Sequence, residues 1–336
     1  MRWRHMQNHS QKNDVQLTFR PYTPQDVAGV IALWEQAYGK DMPVEVWRWK
    51  FHENPYGIYG MVCLVDQDFP VAMYAGIPLQ GNWRGKEVPF VQHVDLMTHT
   101  DYRGRGMIVQ TFQNFIDKYG GVRNGSFHYG FPGRRQFQLG KRYLGYQAVP
   151  EGQAYMTASP SQLGGLGKGW RGWRVHRLPT FQPVFDHLQK RINTYYPFAA
   201  IRDNRFVKWR FFDHPLNTYD VYIYRDLFFR VLGYAVVFLH QADEATLVDV
   251  FAVPEEKVLR ALMARLGKDL NQRSISRIQT WLPSQHMLTH ILQQCGFSNE
   301  EEPLGIVATW LKWDHVAEHE QAVHDLYFSM ADADLF

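Results

Sequence analysis

The stretch Leu96-Met97-Thr98-His99-Thr100-Asp101-Tyr102-Arg103-Gly104-Arg105-Gly106 decides the fold of this chain. The residues at 91–98 alternate in polarity as a strand does, and apolar residues recur at helical spacing from Ile108 to Tyr119. Gly104 and Gly106 allow the backbone to come close to an anion, and the first N–H groups of a helix have no partners within it. The sequence therefore predicts a strand, a phosphate-binding loop and a helix.

This stretch resembles the strand-loop-helix signature of the GNAT acyltransferase superfamily, which reads roughly Leu-x-Val-x-Pro-x-Tyr-Arg-Gly-x-Gly. The chain departs from that signature at Thr98, Thr100 and Ile108, where valine, proline and a small residue are usual. The resemblance implies acetyl-CoA or another acyl-CoA as co-substrate, with no metal. The cofactor-binding residues that it implies are Met97 and Thr98, through their backbone, and Arg103, Gly104, Arg105, Gly106, Met107 and Ile108, around the pyrophosphate.

The chain also repeats itself. Trp49-Lys50-Phe51-His52-Glu53-Asn54-Pro55 matches Trp209-Arg210-Phe211-Phe212-Asp213-His214-Pro215, which lies 160 residues further on. Val94-Asp95-Leu96 likewise matches Val248-Asp249-Val250. Each half has the order of elements expected of a GNAT domain. We therefore predict an α/β (α+β) fold of two tandem GNAT-like domains, each with a mixed, largely antiparallel central sheet flanked by helices.

The repeat and the local composition set the predicted domain boundaries. The first copy occupies residues 15–156, and a degenerate second copy occupies residues 180–313. Residues 1–14 are predicted to be a flexible polar tail, and residues 157–179 a linker rich in glycine and tryptophan. Residues 314–336 carry six acids and no lysine or arginine, which predicts a solvated helix or a frayed end.

The two copies differ at the phosphate loop. Where the first copy has its Arg-Gly sequence, the second reads Pro254-Glu255-Glu256-Lys257. The proline removes an amide, both glycines are absent, and two carboxylates would repel phosphate. We therefore predict that only the first copy binds CoA.

Candidates for the catalytic base lie on the strand that precedes the loop. The resemblance implies direct acyl transfer from the thioester to an amine, which needs a neutral amine and a proton for the leaving thiolate. His93 is the preferred base, because its ordinary pKa lies nearest neutrality. Asp95 is the alternative, although its counterpart Asp249 in the second copy favours a structural role.

The candidate acid is a tyrosine near the glycine-aromatic turn at Gly145-Tyr146. In the superfamily the acid is typically a tyrosine four residues before that glycine, and this chain has Lys141 there. Tyr143 is the preferred acid, and Tyr146 and Tyr129 are the alternatives.

Composition limits the classes of partner. The net charge of +3 over 336 residues gives no reason to expect a nucleic acid, and the high aromatic content indicates packed cores. Cys63 and Cys295 are the only cysteines, which predicts buried thiols in a reducing, cytoplasmic setting. No stretch approaches the roughly 20 apolar residues that span a bilayer.

The function that these features favour is transfer of an acetyl or other short acyl group from acyl-CoA to a primary amine of a small molecule. Two alternatives stay open. One is an N-acyl amino acid synthase or another tandem-GNAT transferase with a non-CoA donor, against which the Arg-Gly loop argues. The other is a non-catalytic CoA-binding module.

Overall fold

The computed structural model describes residues 16–65, 69–121, 123, 126–166, 172–240, 243–313 and 323–334. The predicted tail at 1–14, the central part of the predicted linker at 167–171, and residues 314–322, 335 and 336 of the predicted acidic tail lie outside the described residues.

Most of the first copy surrounds one sheet. In spatial order its main strands are β1 (Leu17–Pro21), β2 (Tyr59–Val65), β3 (Phe69–Trp83), β4 (Lys86–Thr98), β5 (Phe127–Gly130), β15 (Thr309–Trp313) and β6 (Gln147–Ala148). Among these described neighbours the pair β4–β5 is parallel and the others are antiparallel. The strand β9 (Phe198–Ala200) pairs with the far end of β3, and β16 (Leu326–Tyr327) pairs with β9.

The second sheet repeats this arrangement. In spatial order its strands are β8 (Val175–Leu178), β10 (Tyr219–Arg225), β11 (Val231–Leu239), β12 (Glu244–Ala252), β13 (Arg277–Pro283), β7 (Gln153–Ala158) and β14 (Ser298–Asn299). Its one parallel pair among the described strands is β12–β13, in the place that β4–β5 takes in the first sheet. The structure therefore confirms two sheets that are mixed and largely antiparallel.

Helices cover both sheets. They are α1 (Val27–Tyr38), α2 (Val44–Phe51), α3 (Met107–Tyr119), α4 (Arg134–Tyr143), α5 (Pro160–Gly165), α6 (Phe185–Ile192), α7 (Asn204–Val207), α8 (Glu256–Gln272) and α9 (Met287–Gln294), with a π-helical turn at Lys208–Phe212. In α3, Met107, Thr111 and Phe115 recur every four residues and are buried, so this face packs on the sheet.

The two copies exchange a strand. β7 begins before the predicted boundary at 156 and ends just after it, and it lies in the second sheet, between β13 and β14. β15 belongs by sequence to the second copy but lies in the first sheet, between β5 and β6. Each exchanged strand is hydrogen-bonded along both edges, which satisfies backbone groups that a strand at a sheet edge would expose. The predicted boundaries at 156 and 313 therefore do not separate the sheets.

The predicted linker at 157–179 contains regular structure that belongs to the second sheet and its helices. One of its glycines, Gly164, serves packing, because α5 crosses α8 where Gly164 meets Gly267. A Cβ atom on Gly267 would lie 2.5 Å from the backbone nitrogen of Gly164. Glycine at this crossing thus allows the two helix backbones to touch. From composition alone, the glycines of residues 157–179 predict a flexible linker.

The described end of the chain is buried, which overturns the prediction of a solvated end for this part. Residues 323–333 are buried apart from Asp325, whose side chain is only partly covered, and His324, which is exposed. Asp332 pairs with the buried guanidinium of Arg202 and accepts a hydrogen bond from Tyr129. Buried cations therefore neutralise acids that the sequence pattern assigned to solvent.

Two tryptophans that correspond in the sequence repeat hold the copies together. The rings of Trp49 and Trp209 stack with centroids 5.2 Å apart. Each indole N–H donates to the backbone oxygen of the other tryptophan, at 2.9 and 3.0 Å. This reciprocal contact has the form expected of a two-fold axis between duplicated domains.

Candidate active site

The first sheet opens at the junction of β4 and β5. Their last paired residues are His93 and Gly130, after which the strands separate. A cavity of about 270 Å³ lies in the opening, and we call it the splay cavity. Its lining includes residues 93–96 of β4, residues 130–133 after β5, and the side chains of Trp34, Tyr38, Tyr74, Gln136, Tyr146, Ile306, Thr309, Leu311 and Asp334.

The Arg-Gly loop lies between the end of β4 and the start of α3, as predicted. Gly104 and Gly106 have φ values of 77° and 75°, in the left-handed region that favours glycine. α3 begins at Met107, so the first amides of the helix face the loop without helical partners. The loop is exposed over residues 103–106, which leaves it open to an anion.

The other residues predicted to bind the cofactor have distinct places. Arg103 spans the loop and donates to the backbone oxygens of Thr98 and Ala37, both at 3.2 Å. Arg105 lies over the ring of Tyr102, at 5.1 Å. The side chain of Met97 is buried in the core, so only its backbone is available to a ligand. Arg103 therefore shapes the loop, whereas the amides and Arg105 face outward.

Asp95 lies at a bulge in β4, opposite Tyr74 of β3. Its φ of 47° is unusual for a residue other than glycine, and such strain is typical of functional sites. Its carboxylate accepts hydrogen bonds from Trp34 Nε1 at 3.1 Å and from Lys50 Nζ at 2.6 Å. Burial raises the pKa of Asp95 above its usual value, although Lys50 opposes this effect.

Lys50 joins Asp95 to the end of the chain. Its ammonium also donates to Asp334 Oδ2 at 2.7 Å. Burial alone would lower the pKa of Lys50, but the nearby carboxylates of Asp334 and Asp95 outweigh burial and raise it. Lys50 is therefore a permanent cation between two carboxylates.

The two nitrogens of the His93 ring are both engaged. Nδ1 lies 2.6 Å from the Tyr74 hydroxyl, and Nε2 lies 2.8 Å from His128 Nδ1. Burial, helped by the neighbouring His128, holds the pKa of His93 well below its usual value. His93 is consequently neutral and lies in the cavity wall, in a position to relay a proton but with no unoccupied nitrogen.

Of the three tyrosines that the sequence offers as the acid, Tyr146 is the one that lines the splay cavity. Its hydroxyl lies 2.9 Å from that of Tyr74, and burial raises its pKa to about 12. Tyr143, the preferred acid from the sequence, is the last residue of α4, is 52% exposed and is not part of the cavity lining. The chain turns inward at Gly145, where φ is 77°, and this turn carries Tyr146 into the site. The alternative Tyr129 bonds to Asp332 outside the cavity.

A second cavity, of about 260 Å³, lies between the two copies, and we call it the interdomain cavity. The first copy contributes Trp49 and Lys50, and the second contributes Trp209, Arg210 and His214. Trp34, Asp95 and Asp334 line both cavities. A ligand in the splay cavity and a second ligand in the interdomain cavity would therefore meet beside Asp95.

The corresponding opening in the second sheet holds the end of the chain. β12 and β13 pair only as far as Thr246 and Gln279, and residues 326–332 contact both strands beyond that point. Tyr327 donates its hydroxyl hydrogen to the backbone oxygen of Val250. Ser329 Oγ donates to Asp249, the counterpart of Asp95, at 2.7 Å. The chain itself occupies the place that a cofactor would need there.

Three residues of the site were not predicted from the sequence. The sequence repeat matches Lys50 with Arg210, but the two carboxylates that pair with Lys50 lie far from it in the sequence. Tyr74 had no motif around it. Asp334 belonged to the acidic tail, where charge alone indicated solvent exposure.

Three further observations, on metal ligands, membrane spans and thiols, concern the described residues. No cluster of three or more His, Cys, Asp or Glu side chains among them is arranged to hold a metal ion. Within the same ranges, no helix combines the length and the apolar character needed to span a membrane. Cys63 and Cys295 are buried free thiols, as predicted.

Comparison with known proteins agrees with this geometry. Residues 18–139 match the family model of an acetyltransferase (GNAT) domain. No curated protein matches the chain significantly. This match shows that residues 18–139 carry an acetyltransferase (GNAT) domain.

Several solved structures resemble the whole chain. A GCN5-related N-acetyltransferase from Anabaena variabilis is 12% identical with a TM-score of 0.68, over 88% of this chain and 72% of that one. A probable N-acyltransferase from Enterococcus faecalis is 13% identical with a TM-score of 0.62, over 89% and 71%. N-myristoyltransferase from Saccharomyces cerevisiae, with bound myristoyl-CoA, is 12% identical with a TM-score of 0.56, over 88% and 85%. These likenesses show the fold.

Proposed function

We propose that this protein transfers an acetyl or other short acyl group from acyl-CoA directly to a primary amine of a small molecule. The observation that carries the proposal is that two cavities meet at Asp95, one in the opening between β4 and β5 and one between the copies. The GNAT domain at 18–139 supports an acyl-CoA as the donor.

In this proposal the donor binds along the first sheet. The amides at the start of α3, with Arg105, hold the pyrophosphate, and the backbone of Met97 and Thr98 contacts the pantetheine. The thioester then lies in the splay cavity, between Asp95 and Tyr146. The acceptor amine enters from the interdomain cavity.

The amine nitrogen attacks the thioester carbonyl carbon, so that a C–N bond forms and the C–S bond breaks. The Asp95 carboxylate accepts the proton from the amine, and its raised pKa makes it a better proton acceptor than an ordinary aspartate. The Tyr146 hydroxyl donates a proton to the leaving thiolate and can be reprotonated through Tyr74 and His93. The predicted base His93 thus becomes a relay, and Asp95 takes its role.

A panel of acyl-CoA donors, from acetyl to myristoyl, crossed with a panel of primary amines tests the proposal. Free thiol release is followed by absorbance, and the acylated amine by mass. Release that depends on the amine supports the proposal. Binding of CoA without release would indicate a binding module, and no CoA binding would indicate a different donor. The Asp95→Asn variant serves as the control, since it should bind CoA and release little thiol.

We further propose a small-molecule acceptor, not a nucleic acid, and a cytoplasmic location. The modest net charge of +3 and the small volume of the interdomain cavity, about 260 Å³, support the acceptor class. Two buried free thiols are consistent with a reducing compartment.

A further inference from the structure

The cations Lys50 and Arg210 correspond in the sequence repeat, and both line the interdomain cavity. Their partners differ. Lys50 pairs with the carboxylates of Asp95 and Asp334. Arg210 has no carboxylate within salt-bridge distance among the residues that the structure describes.

Arg210 is nevertheless buried, at 3% exposure. Its guanidinium donates to the backbone oxygens of Ala331 at 3.3 Å and Ala333 at 3.2 Å, and to the Tyr219 hydroxyl at 3.2 Å. All three acceptors are neutral. A buried charge without a counter-ion is costly, and a guanidinium has five N–H donors in a fork that matches a carboxylate.

The carboxylate that would correspond to Asp95 in the second copy is not available to Arg210. Asp249 lies 3.6 Å from the Arg202 guanidinium and accepts hydrogen bonds from Tyr234 and Ser329. His214, beside Arg210, adds no charge near neutral pH, because burial and Arg210 lower its pKa to about 4. The positive charge of Arg210 is therefore uncompensated on its side of the cavity.

The interdomain cavity therefore carries charges of both signs. Two carboxylates share the single cation Lys50, which leaves one excess negative charge. Arg210, which lines the same cavity, contributes one positive charge. A ligand with an ammonium group and a carboxylate complements both charges, whereas a simple amine complements only one.

We infer that the acceptor is an amino acid or a similar amino-carboxylate, whose carboxylate pairs with Arg210 while its amine lies beside Asp95. This inference rests on the proposed acyl transfer and names its substrate class. Arg210 is a binding residue that selects the acceptor and takes no part in the bond-making step.

The test compares matched acceptors on the full chain, with acetyl-CoA as donor and thiol release as the readout. The pairs are glycine with methylamine, L-lysine with cadaverine, and L-phenylalanine with phenethylamine. For at least one pair we expect the carboxylated member to have a kcat/KM about 10- to 100-fold higher, as a charge-assisted hydrogen-bonded pair would give. Equal values within every reactive pair would overturn the inference and leave acyl transfer standing.

Variants assign the preference to Arg210. Arg210→Gln should reduce kcat/KM for the carboxylated member to that of its mate, mainly through KM. Arg210→Lys retains the charge and should keep part of the preference. It therefore provides a second test if the glutamine variant does not fold. The control is Arg205→Gln, at a mostly exposed arginine outside the cavity lining.

A preference that persists in Arg210→Gln would overturn the inference. Absence of thiol release with every pair would instead overturn the proposed acyl transfer, and the inference with it.

Discussion

The first and second copies have the same strand order and the same parallel pair that opens into a gap, yet their gaps hold different things. In the first copy the gap is a cavity, and a glycine-rich loop follows β4. In the second, residues 326–332 contact both strands, and Pro254-Glu255-Glu256 replaces the loop. The comparison teaches that a duplicated fold can use one opening for a ligand and the other to anchor its own chain.

Separating the copies should have the largest effect. A fragment of residues 15–156 lacks β15 and ends within β7, whose neighbour β13 it also lacks, so we expect no cooperative thermal unfolding by circular dichroism. Addition of a fragment of residues 157–336 should restore a cooperative transition. A fragment 15–156 that melts cooperatively alone would show that the copies are independent units.

Asp95 and Asp249 correspond, but we expect their loss to have different consequences. Asp95→Asn should lower turnover about 10³-fold, because it removes the base, with affinity for CoA changed only a few-fold. Asp249→Asn should leave turnover nearly unchanged but lower the free energy of unfolding by about 3 kcal/mol, because Arg202 loses a buried partner. Steady-state kinetics and urea unfolding measure the two effects. The reverse pattern would assign the catalytic role to the second copy.

Tyr146 corresponds to Phe297, which has no hydroxyl. Tyr146→Phe makes the first copy resemble the second at this position and should lower kcat about 10²-fold, the lower end of the range for general acid catalysis. Tyr143→Phe, only three residues away on the exposed end of α4, is the matched control and should keep the wild-type kcat. If only Tyr143→Phe lost rate, Tyr143 would be the acid, as the sequence favoured.

The Arg-Gly loop should account for CoA binding. Gly106→Val places a β-branched residue at a φ of 75° and obstructs the loop amides, so the Kd for acetyl-CoA should rise about 10- to 100-fold by calorimetry. The double variant Glu255→Lys, Glu256→Lys in the second copy should leave both Kd and a stoichiometry of one unchanged. Two equivalent sites per chain would refute the difference between the copies.

The smallest effect concerns His214, which corresponds to Asn54. His214 Nδ1 accepts hydrogen bonds from the amides of Leu216 and Asn217, and its pKa is lowered to about 4 by burial and by Arg210. Below its ordinary pKa of about 6.5 the unfolded chain binds a proton that the folded chain does not. The contribution of neutral His214 to stability is therefore complete above pH 6.5 and is lost as the pH falls towards 4.

His214→Asn keeps an acceptor for those amides, as Asn54 does for Tyr56, and removes the titration. Its free energy of unfolding, measured in urea, should fall less than that of the wild type between pH 7 and pH 4.5, by roughly 1 kcal/mol after allowance for partial exposure. The exposed His187→Asn is the control. Equal acid sensitivity of His214→Asn and the wild type would contradict the assignment.

Local features of the fold could be predicted from the sequence. The strand at 91–98, the loop at 103–106 and the helix after it follow from polarity, glycine and periodicity, which act over short distances. The duplication could be read because Trp49 and Trp209 keep their neighbours. The exchange of β7 and β15 could not, since alternation predicts a strand but does not identify its partner.

In the candidate site too, local features could be predicted from the sequence and distant partners could not. The loop residues follow from backbone requirements, whereas the roles of Asp95 and His93 depend on which neighbours burial brings to them. Lys50 and Asp334 are separated by 284 residues, so neither could indicate the other. The position at which α4 ends decides that Tyr146, and not Tyr143, lies in the splay cavity. A helix boundary is uncertain by a few residues in any prediction from sequence.

The exchanged strand β15 has a consequence for synthesis. Thr309 Oγ1 donates to the backbone oxygen of Gly130, 179 residues earlier in the chain. Because a ribosome delivers the N-terminal half first, the sheet next to the Arg-Gly loop waits, with β5 unpaired along one edge, until residues 309–313 have emerged. Products truncated before β15 therefore contain an incomplete first sheet, although every residue of the loop has been made.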